Sequence, residues 1–172
     1  MSSDGKTIYA SVPQAAHVVI LDAATFTEKG RIETPLFKGH TPTPQRGGGG
    51  GSGVVVPESS SPHGMGLNTD GSKLYIGVEG ADVPGVVGYD TKANKVLKKI
   101  DLLLQGGHYL QVQPGTDKVY YPHRTDNRVV VIDGKTDTIK KIIDVKGGPV
   151  GVDFSPNGEV WIHGDGANGV EG

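Results

Sequence analysis

Val18-Val19-Ile20-Leu21-Asp22, Val86-Val87-Gly88-Tyr89-Asp90 and Val129-Val130-Val131-Ile132-Asp133 repeat one phrase three times. Each is an apolar run closed by Asp. Each is followed, at the same offset, by a second segment ending in an acidic residue: Arg31-Ile32-Glu33, Lys99-Ile100-Asp101 and Ile142-Ile143-Asp144. Such a repeat sets the architecture before any single residue is weighed, because each copy must bury its apolar faces against its neighbours.

Working outward, four segments join a tight turn to a strand that carries a large aromatic: Ser3 to Tyr9, Thr69 to Tyr75, Pro114 to Tyr120 and Ser155 to Trp161. Asp-Gly and Asn-Gly pairs supply most of the turns. Tyr75 and Tyr120 lie 45 positions apart, Tyr120 and Trp161 lie 41 apart, and Asp90 and Asp133 lie 43 apart. Asp22 and Asp90 are 68 apart, so one copy carries about 25 extra residues, which fall at about 37–61. No segment has sustained helical periodicity.

A unit of roughly 40–45 residues with four short strands has the size of one β-propeller blade. The best copy predicts strand A at Gly64–Asn68, B at Lys73–Val78, C at Val86–Asp90 and D at Lys95–Leu102. The next copy runs from His108 to Val145. The first begins at strand B (Thr7–Val12) and lacks A; the last has A (Val150–Phe154) and B (Glu159–His163). The expectation is an all-β fold, a partial β-propeller domain over residues 1–172. Its blades are four-stranded and antiparallel, about three to three and a half in number. Closed propellers use roughly four to eight blades. The chain is therefore expected to be a fragment of a longer protein, or to self-associate or take a partner that completes the ring.

The insert at 37–61 contains Gly47 to Gly51 in an unbroken run and reads as a flexible loop. No Gly-Lys-Ser/Thr ending follows, so it is not a phosphate loop. With 17 basic and 19 acidic residues the charge is balanced, which gives no reason to expect nucleic acid as a partner. No apolar stretch is long enough for a membrane span. Met1-Ser2-Ser3-Asp4-Gly5 is polar and turn-like, unlike a secretory signal. Cysteine is absent, which excludes disulfides, thiolate metal sites and attached c-type haem. Gly-x-Ser-x-Gly and His-Glu-x-x-His are also missing. Lys98-Lys99 and Lys140-Lys141 fall on strand D, where they keep an outer edge soluble.

The repeats resemble the YVTN family of β-propellers. The matching stretches are Asn68 to Ile76 with Val87 to Thr91, Lys118 to Tyr121 with Val129 to Asp133, and Phe154 to Gly158. The resemblance implies a propeller fold and favours a periplasmic or extracellular setting. It leaves the activity open between binding proteins, cell-surface repeats and domains attached to redox enzymes. Ser61-Pro62-His63-Gly64-Met65-Gly66-Leu67 is also similar to the Pro-His-Gly opening of streptogramin-lyase-like and NHL-type propellers. Some of those use channel-facing histidine with a divalent cation.

Of six histidines, His63 and His108 occupy equivalent places in successive copies, just before strand A. In a propeller that end lines the channel mouth. They are the candidate catalytic pair and, with His123 and His163 on the same rim, candidate ligands for a divalent transition metal such as zinc or copper. Glu79, Asp82 and Asp165 are candidate acids near this rim; Arg124 and Arg128 are candidates for an anion. His17 and His40 read as ordinary. Asp22, Asp90 and Asp133 recur in every copy, so the expectation for them is structural: each accepts hydrogen bonds from the turn that follows. The leading functional reading is a binding or assembly module with a ligand site at the channel mouth. Its rival is a metal-dependent lyase, hydrolase or oxidase built on His63 and His108.

Overall fold

In the computed structural model, residues 1–33, 61–79, 85–104 and 106–166 are described. The insert expected at 37–61 lies outside them, except for Ser61, where a strand begins. The described residues form thirteen strands and one short 3-10 turn at Pro13–Ala15. They are β1 (Thr7–Val12), β2 (His17–Asp22), β3 (Glu28–Glu33), β4 (Ser61–Leu67), β5 (Lys73–Glu79), β6 (Gly85–Asp90) and β7 (Lys95–Asp101). There follow β8 (Gln111–Val112), β9 (Lys118–His123), β10 (Arg128–Asp133), β11 (Thr138–Asp144), β12 (Pro149–Phe154) and β13 (Val160–Gly164). Four antiparallel sheets result, consecutive in the chain: β1-β2-β3, β4-β5-β6-β7, β8-β9-β10-β11 and β12-β13. The predicted order of strands holds throughout. The two complete copies form four-stranded meanders, and no closed ring is formed among the described residues.

Two details differ from the sequence reading. Strand β4 starts at Ser61 and carries a register shift between Pro62 and Met65, so His63 lies inside a bulged strand and not ahead of it. Strand β8 is only two residues long, because the segment before it bends away after the isolated bridge between Gly107 and His123.

The repeated Asp acts as expected. Asp22 Oδ1 accepts from the backbone N–H of Ala24 and Thr25, each at 3.0 Å. Asp90 accepts from Lys92 and Ala93 at 2.9 and 2.8 Å, and Asp133 from Lys135 at 3.0 Å. These donors hold all three carboxyls below their ordinary pKa. Four residues after each Asp, the chain turns through a left-handed residue: Phe26 (φ 57°), Asn94 (φ 50°) and Asp137 (φ 53°). Each strand ending at the Asp also carries a register shift, at Ile20/Leu21, Gly88/Tyr89 and Val131/Ile132. The same local chemistry thus makes the same local shape three times.

Packing explains why the Asp-closed strands β6 and β10 are apolar without alternation: they are covered on both sides. Tyr9, Val18, Ile20 and Ile32 of the first sheet pack with Leu74, Ile76, Val87 and Tyr89 of the second. Tyr75 and Val86 turn the other way, toward Val119, Tyr121, Val130 and Ile132 of the third. Tyr120, Val129 and Val131 then meet Val152, with Phe154 and Ile162, of the fourth. Strands β7 and β11 lie at sheet edges and are mostly exposed, and their lysines suit an edge in water.

A polar seam supplements the apolar one between the second and third sheets. Lys73 Nζ meets both carboxylate oxygens of Asp137 at 2.8 and 3.0 Å. The Tyr75 hydroxyl lies 2.7 Å from Asp137 Oδ1 and 2.8 Å from the Gly134 carbonyl oxygen, two acceptors for its one proton.

Candidate functional site

The site starts from a glycine. A Cβ on Gly64 would lie 2.0 Å from the Leu110 nitrogen and 2.6 Å from the His108 carbonyl oxygen. Only glycine lets the backbone of β4 approach the 108–110 segment of the next sheet this closely. The residue before it, His63, is thereby brought against His108: the ring centroids are 5.8 Å apart and the planes meet at 78°. The copies that aligned these two histidines in sequence do bring them together in space.

Register supplies the third member. Ser61 pairs with Glu79 and Pro62 with Val78, so the start of β4 runs beside the end of β5. Glu79 Oε2 lies 3.3 Å from His63 Nε2, with the two side chains 16% and 30% exposed. An ion pair would lower the carboxyl's pKa and raise the imidazole's. Burial does the reverse to both. It pushes Glu79 up to about 7, and it lowers His63, with His108 adding to the effect. His108 is lowered by burial first and then by the Arg124 charge, which Asp165 partly offsets. Near neutral pH the carboxyl is therefore in the middle of its titration, and it faces an imidazole that burial disfavours from charging.

Beneath it lies Tyr121, which the sequence reading did not single out. Its ring fits between two glycines: a Cβ on Gly77 would meet it at 2.8 Å, and one on Gly107 at 2.2 Å. Burial raises its hydroxyl well above the ordinary range, and the Glu79 charge adds to this. Among the described residues, three buried polar atoms here have no hydrogen-bond partner: Glu79 Oε1, His108 Nδ1 and the Tyr121 hydroxyl. Gly64, Gly77 and Gly107 are the sequence signal that marks these close approaches; burial of Tyr121 leaves no mark in sequence.

The remaining candidates are not members of the His63–Glu79–His108 contacts. His123 is fully buried beside the Tyr121 ring, 4.6 Å between centroids, and not on an open rim. His163 is exposed on β13, with its ring over Gly151 and Nε2 3.9 Å from Asp153. Asp165 pairs with Arg124 at 2.6 Å, and Arg128 pairs with Asp144 at 3.0 Å. Asp82 and His40 lie outside the described residues. His17 is buried, and its Nδ1 is 2.9 Å from the Ala15 carbonyl. Among the described residues no three His, Asp or Glu side chains are arranged to hold a metal ion. Chemically, the cluster offers a carboxyl that titrates near neutrality, two neutral imidazoles and a phenol. These groups can donate and accept hydrogen bonds or move a proton.

No protein-family model matches the chain, and no curated protein sequence does. Solved structures do. Hydrazine synthase from Kuenenia stuttgartiensis is similar with a TM-score of 0.72 at 20% identity, over 98% of this chain and 42% of that one. A protein of unknown function from Bacteroides caccae is similar with a TM-score of 0.62 at 12% identity, over 94% of this chain and 50% of that one. The likeness is one of fold. The chain spans half or less of the length of either neighbour.

Proposed function

We propose that the chain is a YVTN-type partial β-propeller of about three and a half four-stranded blades that acts as a binding and assembly module. Its ligand site is the cluster of His63, Glu79 and His108 over Tyr121. The carrying observation is the convergence of these groups from two neighbouring sheets, with three buried polar atoms left unpartnered among the described residues. An unpartnered buried donor or acceptor costs about 1–3 kcal/mol, so a site that retains three of them fits a molecule that hydrogen-bonds there. Burial disfavours charge on every group here, which suits a small uncharged ligand bearing hydroxyl, carbonyl or amide groups. The test is ligand-observed NMR with glycerol, acetamide and glucose as probes. Saturation transfer to at least one, lost in Glu79→Ala and in His108→Ala, supports the reading. No transfer to any of them refutes a site of this chemistry.

The second reading is a metal-dependent lyase, hydrolase or oxidase holding zinc or copper at His63 and His108, and it is favoured by two neutral imidazoles in edge contact. His123 and His163 would have to rearrange to join them, and the described donors do not make a set of three. Metal analysis of protein purified without added metal separates the two. Stoichiometric zinc or copper, lost in the His63→Ala/His108→Ala double variant, would select the metal site.

A further inference from the structure

The repeat makes a rule about which way each side chain faces. In the second and third sheets, the residues one and three positions before the repeated Asp (Tyr89 and Val87, Ile132 and Val130) pack on the preceding sheet. On the strand before, Leu74, Ile76, Val119 and Tyr121 do the same. The aromatic of each turn-and-strand unit faces the following sheet instead: Tyr9 toward the second, Tyr75 toward the third, Tyr120 toward the fourth.

Applied to the two ends, the rule leaves one face open on each. In the first sheet the preceding-facing positions are Ile8 and Ala10 on β1, with Leu21 and Val19 paired to them on β2. These four apolar residues belong to none of the buried clusters and are partly exposed. In the fourth sheet the following-facing aromatic is Trp161. It is 63% exposed, whereas Tyr75 is 0% and Tyr120 is 7% exposed. One end thus presents an aromatic that lacks a following sheet, and the other an apolar face that lacks a preceding one.

We propose that these two faces dock on one another between two copies of the chain, head to tail: Trp161 of one copy covers Ile8, Ala10, Val19 and Leu21 of the other. The proposal rests on the propeller reading and names the partner that reading calls for. The faces are complementary by register, since every internal junction pairs the same two positions. Trp161 would be covered if one copy closed on itself, and it is not. Two copies bring eight sheets, within the roughly four to eight of closed propellers. The two solved neighbours hold about twice this chain's length in one polypeptide, which is the amount two copies supply. A two-fold axis along the ring then makes both junctions identical.

The chain's only tryptophan is Trp161, so its fluorescence reports on this face alone. Sedimentation equilibrium of the 172-residue chain is expected to give twice the monomer mass, with Trp161 emission shifting to the blue as concentration rises through the transition. Trp161→Glu, at an exposed position, is expected to weaken association by roughly thirtyfold or more while far-UV circular dichroism is unchanged. Leu21→Asp, checked for folding in the same way, is expected to leave a monomer whose Trp161 stays red-shifted at every concentration. A wild-type monomer with solvent-exposed Trp161 at all concentrations overturns the proposal, and the face then belongs to further sheets of a longer polypeptide. A Leu21→Asp dimer as tight as wild type also overturns it, since Trp161 would then meet its own counterpart. The probe titrations at Glu79 are repeated on monomeric Trp161→Glu, so loss of ligand binding and loss of the dimer are scored separately.

Discussion

Replacing Glu79 by Gln removes one titrating group and keeps its shape. In the folded protein this carboxyl has a pKa of about 7, against 4.5 ordinarily, because it is buried. Between those two values the folded state holds a proton that the unfolded state has released. The folded state is then penalised progressively as pH rises, and the full penalty is present above 7. At 1.36 kcal/mol per pH unit, the difference amounts to about 3 kcal/mol. His63 and His108 act in the opposite sense. Their lowered pKa values mean that the unfolded state takes up protons first, so their contribution improves as pH rises toward 6.5. The wild-type profile mixes these terms, but the variant retains both histidines. Subtracting one urea-denaturation series from the other therefore isolates Glu79. The two proteins are expected to be nearly equal near pH 4, with Glu79→Gln about 3 kcal/mol more stable at pH 8. A difference that runs the other way, with wild type gaining on the variant as pH rises, would mean that Glu79 and His63 form an ion pair. The argument from burial would then fail.

Gly64→Ala should cost about 3 kcal/mol, since the new methyl meets backbone atoms that cannot give way, whereas Gly30→Ala, with nothing within 4 Å, should be tolerated; urea midpoints compare the two. Asp137→Asn should lose about 2 kcal/mol by stripping Lys73 and Tyr75 of their charged acceptor, and Asp137→Ala about 1 kcal/mol more because φ is 53° there. A double-mutant cycle with Lys73→Met that gives no coupling would remove the seam from the account. Phe26→Asn should gain about 1 kcal/mol in thermal unfolding, because a 70% exposed phenylalanine is held at a left-handed turn that asparagine adopts readily.

The strands were legible because their determinants are local and repeated. Asp22, Asp90 and Asp133 each cap their own turn within three residues, so spacing alone located the turns and the strands on either side. The alignment that put His63 opposite His108 succeeded for the same reason: equivalent positions in adjacent copies become neighbours. His123 and His163 were placed by their position at the end of strand B and not by that alignment; the first is buried beside Tyr121 and the second is exposed on β13. Whether such a ring is buried or exposed depends on what the next sheet lays across it. Tyr121 went unnoticed because a tyrosine in a strand reads as core until its hydroxyl is found without a partner. Glu79 looked like any loop acid until burial was known.

What the order of residues settled by itself is the all-β character: the order of the strands and the chemistry of the turns between them. These follow from interactions a few residues long, which each copy makes alone. What only the tertiary structure decided is the cluster: Gly64 lets two backbones meet, and Glu79 is pushed up to about 7. Desolvation and close approach are properties of the space between sheets. That space exists only once residues as distant as 64 and 110 have packed together.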